Sequence, residues 1–328
     1  MSAAIGRRRA SGPVRVTPSR RPRGMAATPA VEPGPASFPF AAHGLERPGG
    51  TLRYVDEGAG PTVVCVHGNP TWSFHFRALI RVLARDHRVI APDHLGMGRS
   101  DTPALARYPY DLAARVDDLE ALLDHLEVGR ERPVTLVVHD WGGAIALTWA
   151  ARHPQRVGRL VLLNTAAFPP IRGRVPALLL AARLPVVGDV LVRGLNAFVR
   201  GALAGGVRRT RLPAAVRRAY LWPHGSWGQR VAVLRFVRDI PLRAGHRSWD
   251  LLAGTGAALG QFAHLPALIV WGLRDPVLTP AYLAEWRRRL PGAEVHAIAD
   301  AGHLVLEDAA EAVPLIAAFL ARTAGRAS

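Results

Sequence analysis

The chain of 328 residues has no lysine, a single cysteine and three methionines. One thiol, Cys65, excludes a disulfide framework, so the fold must be held by its core and a reducing compartment suits it. Cys65 sits inside the apolar, strand-like run Thr62 to Val66 and reads as a buried core thiol. Also missing is an uninterrupted apolar stretch long enough to cross a membrane: Leu178 to Leu180 and Val186 to Phe198 are strongly apolar but are broken by Arg183, Pro185, Asp189 and Arg193. No apolar region follows the arginines near the N-terminus, so no secretory signal is expected, and the expected location is cytoplasmic. Without lysine, all 42 basic residues are arginine; against 25 acids they give a formal charge of +17. Such an excess raises nucleic acid or an acidic membrane surface as partners. No nucleic-acid recognition motif accompanies it, and an Arg- and Ala-biased composition reads as a coding habit. Seven of the arginines lie in the first 24 residues with no acid among them, and residues 1–36 are expected to form a basic disordered tail.

What the chain does contain is a large apolar fraction, 49%, enough for one core domain and an inserted lid. The rest of the sequence is arranged around Val134 to Thr148. Its β-branched run Val134 to Val138 predicts a strand of a parallel sheet covered on both faces. Asp140 follows at a sharp elbow, and Gly142 and Gly143 let the next helix pack back on the strand. Strands are also expected at Leu52–Glu57, Thr62–Val66, Arg88–Ala91, Leu160–Asn164, Ala267–Gly272 and Glu294–Ile298, with helices over 74–84, 111–126, from Pro280 and over 310–320. This alternation predicts an α/β fold with a mostly parallel, doubly wound sheet, whose sites lie at the carboxyl ends of the strands. From 165 to 263 the rhythm breaks into short, proline-punctuated apolar helices, read as an inserted helical cap. The core then comprises residues 37–164 and 264–328. The Gly-rich turn Pro92 to Asp101 reads as a loop tied together by its own polar groups.

Three residues fall just after strands in the order nucleophile, acid, histidine: Asp140, Asp275 and His303. Asp300 and Glu307 are nearby alternatives for the acid, and position 164, another place for it, is asparagine. A carboxylate nucleophile is already ionised at neutral pH, and its targets are electrophilic carbons bearing a leaving group. His303, oriented by Asp275, would then activate water or handle a proton. The backbone N–H groups of Asn69 and Trp141 are expected to form an oxyanion hole, with the Asn69 amide and the Trp141 indole as further donors.

His67-Gly-Asn-Pro-Thr-Trp-Ser73 and Val138-His-Asp-Trp-Gly-Gly143 resemble the haloalkane dehalogenases of the α/β-hydrolase superfamily, over roughly residues 38 to 325. That resemblance makes Asp140 the nucleophile, His303 the base, Asp275 the acid, and Asn69 with Trp141 the halide clamp. Epoxide hydrolases share part of these motifs but use two cap tyrosines, and only Tyr220 lies in this cap. Four longer segments, Arg115-Val-Asp-Asp-Leu-Glu-Ala-Leu-Leu-Asp124, Leu163-Asn-Thr-Ala-Ala-Phe168, Leu191-Val-Arg-Gly-Leu-Asn-Ala-Phe198 and Ser226 to Leu242, are similar to the β-lactone decarboxylases of bacterial long-chain olefin biosynthesis. Such enzymes convert cis-3-alkyl-4-alkyloxetan-2-ones to cis-alkenes and carbon dioxide. The resemblance implies a long-chain dialkyl β-lactone as substrate, no metal or organic cofactor, and assembly with the synthetase that makes the lactone. Asp140 has either the lactone carbonyl or the ring C–O carbon open to it. A dehalogenase, an epoxide hydrolase and a non-catalytic ligand-binding α/β-hydrolase are the alternatives.

Overall fold

The structure, a computed structural model, describes residues 35–171, 173, 175–209 and 211–326. The expected basic tail, 1–36, lies outside them except for its last two residues. Eight strands form one sheet: β1 (His43–Arg47), β2 (Gly50–Glu57), β3 (Thr62–Val66), β4 (Arg88–Pro92), β5 (Val134–Asp140), β6 (Val157–Thr165), β7 (Ala267–Gly272) and β8 (Glu294–Ile298). Their order is β1-β2-β4-β3-β5-β6-β7-β8. β1 and β2 pair antiparallel, as do β2 and β4, and every other neighbouring pair is parallel. The central strands β5, β6 and β7 are buried along nearly their whole length, which is why they read as unbroken Val, Ile and Leu runs rather than as alternation. β1, His-Gly-Leu-Glu-Arg, has no such signature and goes unpredicted, because its conformation comes from pairing with β2 across a tight turn.

Helices α1 (Arg77–Leu83), α2 (Leu112–His125) and α3 (Trp141–Arg152) precede β6. The expected helix over 74–84 begins as a 3-10 turn, Ser73–Phe76, before α1. Among the described residues, the stretch between β6 and β7 holds no strand. It contains α4 (Ala177–Arg183), α5 (Ala197–Gly205), α6 (Ala214–Leu221), α7 (Val231–Arg238) and α8 (Trp249–Ala258). This stretch is fastened to loops at the carboxyl ends of the strands. Trp72 Nε1 donates to the Ala219 carbonyl, His224 Nε2 to that of Pro70, and Leu304 N to that of Gly206. After β7 come α9 (Pro280–Arg289), then β8, a short unpredicted α10 (Val305–Asp308) and α11 (Ala312–Arg322), which is the terminal helix expected over 310–320. No helix among the described residues is long and apolar enough to cross a membrane. In the turn Pro92 to Asp101, Asp93 accepts from the Ser73 and Arg99 N–H groups and Ser100 Oγ donates to the Asp93 carbonyl, so its polar groups brace the loop.

Candidate active site

Asp140 ends β5 with φ 52° and ψ −123°, a conformation that an L-residue rarely adopts. The strain is held by close packing on both sides. A Cβ on Gly142 would lie 1.9 Å from the Val66 carbonyl oxygen, and one on Gly68 would lie 2.2 Å from Asp140 Oδ1, so neither position admits a side chain. In this elbow the Asn69 backbone N–H donates to Asp140 Oδ1 at 2.7 Å, and the Trp141 N–H also bonds the carboxylate. The two donors expected to form an oxyanion hole are therefore directed at the carboxylate of Asp140 itself. Burial raises the Asp140 carboxyl above its ordinary range, opposed by His303 and by these two N–H groups.

The other oxygen, Oδ2, lies 3.6 Å from His303 Nε2. On the far side of the ring, His303 Nδ1 donates to Asp275 Oδ2 at 2.7 Å. Of the three candidate acids, then, Asp275 is the one on the histidine; Asp300 pairs with Arg209, and Glu307 pairs with Arg77 and Tyr220. Asp275 Oδ1 accepts from the Val277 and Leu278 N–H groups at 2.8 and 3.0 Å, and Oδ2 also accepts from Asn164 Nδ2 at 2.9 Å. Asn164 in turn grips β7, donating to the Gly272 carbonyl and accepting from its N–H. Burial alone would lower the His303 pKa, but Asp275 and Asp140 outweigh it and raise the imidazole to about 9. Burial would likewise raise Asp275, yet His303 and its two backbone donors hold it below its ordinary value.

A second group of histidines frames the site. His139 Nε2 donates to the His303 carbonyl at 3.0 Å, with the two rings 4.7 Å apart. His67 Nδ1 donates to the Gly68 carbonyl while its Nε2 accepts from the His94 N–H, which fixes a neutral tautomer. Desolvation keeps both His67 and His94 below the ordinary histidine value and presses His139 to about 3 and His224 to about 4. The sequence reading missed Asn164, His139, His94 and His224. Asn164 had a signal, since it follows a strand at a place that can carry the acid.

Above Asp140 the cavity divides into two apolar lobes of about 260 and 170 Å³. Both include Asp140, Trp141, Leu179, Ile240 and Val277. The larger runs past Ala144, Phe168, Ile171, Leu252 and Tyr282. The smaller is walled by Phe198, Gly201, Ala202, Gly205 and Gly206, and it also holds Asn69 and His303. The Asn69 amide Nδ2 donates weakly to the Val233 carbonyl at 3.3 Å, and its buried Oδ1 has no hydrogen-bond partner. Trp141 lies beside Phe236. Tyr220 is fully buried between His75 and Glu307 and lines neither lobe, so it offers no hydroxyl to a bound epoxide. Among the described residues no group of three or more His, Cys, Asp or Glu side chains is placed to hold a metal ion.

A family model described as the alpha/beta hydrolase fold matches residues 61–310. The chain is 48% identical over 277 residues to a cis-3-alkyl-4-alkyloxetan-2-one decarboxylase of Shewanella oneidensis, covering 84% of this chain and 86% of that one. It is also 48% identical over 285 residues to the enzyme of the same name from Xanthomonas campestris, covering 84% and 94%. A haloalkane dehalogenase of Mycobacterium marinum is 34% identical over 290 residues, with 83% and 90% covered. Among solved structures, the haloalkane dehalogenase DbeA from Bradyrhizobium elkani superposes with a TM-score of 0.75 at 30% identity, covering 86% of this chain and 99% of that one.

Proposed function

The chain belongs to the α/β-hydrolase fold family, and within it we propose that it decarboxylates cis-3-alkyl-4-alkyloxetan-2-ones with Asp140 as the nucleophile. The observation that carries the substrate class is the 48% identity to two decarboxylases of that name, over 84% of this chain and 86% and 94% of theirs. The cavity supports it: a ring bearing two alkyl chains needs two apolar lobes meeting at the reacting group, and the lobes meet at Asp140. Segment 165–263 acts as the cap that closes those lobes. Such a lactone must be supplied by a ring-closing enzyme, and assembly with that synthetase is part of the same reading.

The geometry favours the ring C–O carbon over the carbonyl. An attacked carbonyl needs donors for its developing oxyanion, and the Asn69 and Trp141 N–H groups are already committed to Asp140. Attack by Oδ2 on the ring carbon forms an alkyl ester, breaks the ring C–O bond and leaves a carboxylate on the neighbouring carbon. Oδ1 becomes the ester carbonyl oxygen, still held by the Asn69 N–H. The carboxylate then departs as carbon dioxide, its electron pair forms the alkene, and the Asp140 C–O bond breaks to regenerate the carboxylate. Inversion at the attacked carbon followed by anti elimination preserves the cis geometry. No water or proton is consumed. His303, held as imidazolium by Asp275 and Asp140, stabilises the carboxylate during this sequence rather than activating water.

Hydrolytic dehalogenation is the second reading, favoured by the donor side chains of Asn69 and Trp141 beside Asp140. The two separate in a paired assay with a long-chain cis-β-lactone and a bromoalkane. Cis-alkene that disappears in Asp140→Ala, with no label entering Asp140 in ¹⁸O water, is the expected result. Bromide release with the lactone untouched would overturn the proposal.

A further inference from the structure

The chain's positive charge is not spread evenly, as a coding habit alone would spread it. Residues 25–164 hold 14 arginines against 15 acids, whereas residues 165–263 hold 15 against three, a net +12 of the total +17. Of those three acids, Asp239 is fully buried, and Asp189 is paired with both Arg193 and Arg238. Exposed Arg200 and Arg243 show no such ion pair among the described residues. The same segment carries nine of the eleven large apolar side chains exposed among the described residues. Val186 is 73% exposed and Leu195 63%. They share one stretch of surface: the Val190 N–H donates to the Val186 carbonyl, the Leu195 N–H to that of Val190, and Arg193 lies over the Trp227 ring at 4.5 Å. Val186 has φ 61°, an outlier for a β-branched residue, and its exposed side chain gains nothing from the protein's own core to offset that strain. This apolar stretch is continuous with the cavity, because Leu178 lines the smaller lobe, Leu242 lines the larger, and each is 37% exposed.

An apolar face set among arginines, and nearly free of exposed acid, is the composition that inserts into the headgroup layer of an anionic bilayer. We propose that this face of segment 165–263 docks on anionic lipid. Leu184, Val186, Val187, Val190, Leu195 and Trp227 enter the interface, and the surrounding arginines meet lipid phosphates. The benefit to catalysis rests on the lactone reading: a neutral molecule with two long alkyl chains dissolves in a bilayer, and it would pass into the lobes by way of Leu178 and Leu242 without crossing water. The docking itself does not depend on that reading.

Sedimentation of the full chain with vesicles, in the absence of any lactone, tests it. Binding to phosphatidylcholine mixed with phosphatidylglycerol should exceed binding to phosphatidylcholine alone by at least about tenfold at low salt, and should weaken as salt is raised. The triple variant Leu184→Asp, Val186→Asn, Leu195→Asp, with the arginine-rich N-terminus intact and an unchanged melting curve, should lose at least about tenfold. The single variant Val186→Asn should fall between the two. Equal binding by wild type and triple variant would assign adhesion to charge elsewhere and overturn the proposal. Failure of the wild type to bind anionic vesicles would also overturn it and leave the face to a protein partner.

Discussion

The roles proposed for Asp140, His303 and Asp275 imply proton inventories that differ between the two competing chemistries. In a hydrolysis, His303 must be neutral to take a proton from water; the pKa of about 9 belongs to the free protein, where the Asp140 charge helps to raise it, and forming the ester would remove that contribution. In the decarboxylation, the imidazolium is the useful form. Its folded pKa is raised, so the charged form persists below about 9 and is lost as pH rises through that value. We therefore expect kcat/KM for a cis-β-lactone to be level near neutrality and to fall above about pH 9, with the slope absent in His303→Gln. A rate that instead climbs through pH 9 would mean His303 works as a base. These three residues were legible because each follows a strand that announces itself by composition. The choice of Asp275 over Asp300 and Glu307 was less so, since it depends on how the loops after β7 and β8 meet. That Asn164 would bind the acid rather than replace it could not be read from its identity either: its partners, Asp275 and Gly272, lie more than a hundred residues away.

α5 sets the depth of the smaller lobe. It presents Gly201, Ala202 and Gly205 to the cavity where larger side chains would close it, and a Cβ built on Gly205 meets nothing within 4 Å. Gly205→Phe should therefore fold and should fill the lobe from its wall. We expect kcat/KM to drop by at least about tenfold for a lactone with two long chains, through lost burial of several methylenes at ~0.8 kcal/mol each, and to change little for one with a short chain. Equal losses on both substrates would show that this wall does not read chain length. The sequence disclosed the helical nature of residues 165–263, because prolines and broken apolar runs are local signals. It did not disclose the two lobes, which arise only where α4, α5 and the loops after β6 and β7 converge. β1 was invisible for a related reason, having its partner strand rather than its own residues to thank for its conformation.

Across the molecule, buried histidines set the response to acid. His67, His75, His94, His139 and His224 are all held below the ordinary histidine pKa by desolvation. Once unfolded they would protonate near 6.5, while His224 and His139 in the folded protein resist down to about 4 and about 3. The unfolded state then binds more protons between those limits, so stability falls as pH drops from about 6.5 toward 4. His303 works in the opposite sense, its contribution being full below about 6.5 and lost as pH rises through about 9. The melting temperature should accordingly be highest near pH 6 to 7 and decline on both sides. His303→Gln should flatten the alkaline limb alone, by roughly 2–4 °C per kcal/mol of stabilisation removed. A melting temperature unchanged between pH 7 and 4.5 would contradict the burial of these rings as neutral groups.

The Asn69 N–H is committed to one oxygen of Asp140, and the Trp141 N–H bonds the same carboxylate. A pair of N–H groups that could receive a foreign carbonyl oxygen is here filled from within. A catalyst so furnished is blind to ordinary esters, however well their tails fit its greasy interior. Triglycerides, phospholipids and thioesters should enter and leave intact, because the two backbone N–H groups that would draw charge onto their carbonyl oxygens are already taken. Only a molecule that carries its own spring, a strained ring or a good leaving group on saturated carbon, gives the carboxylate something to break. Such a protein can work amid a cell's lipids without digesting them.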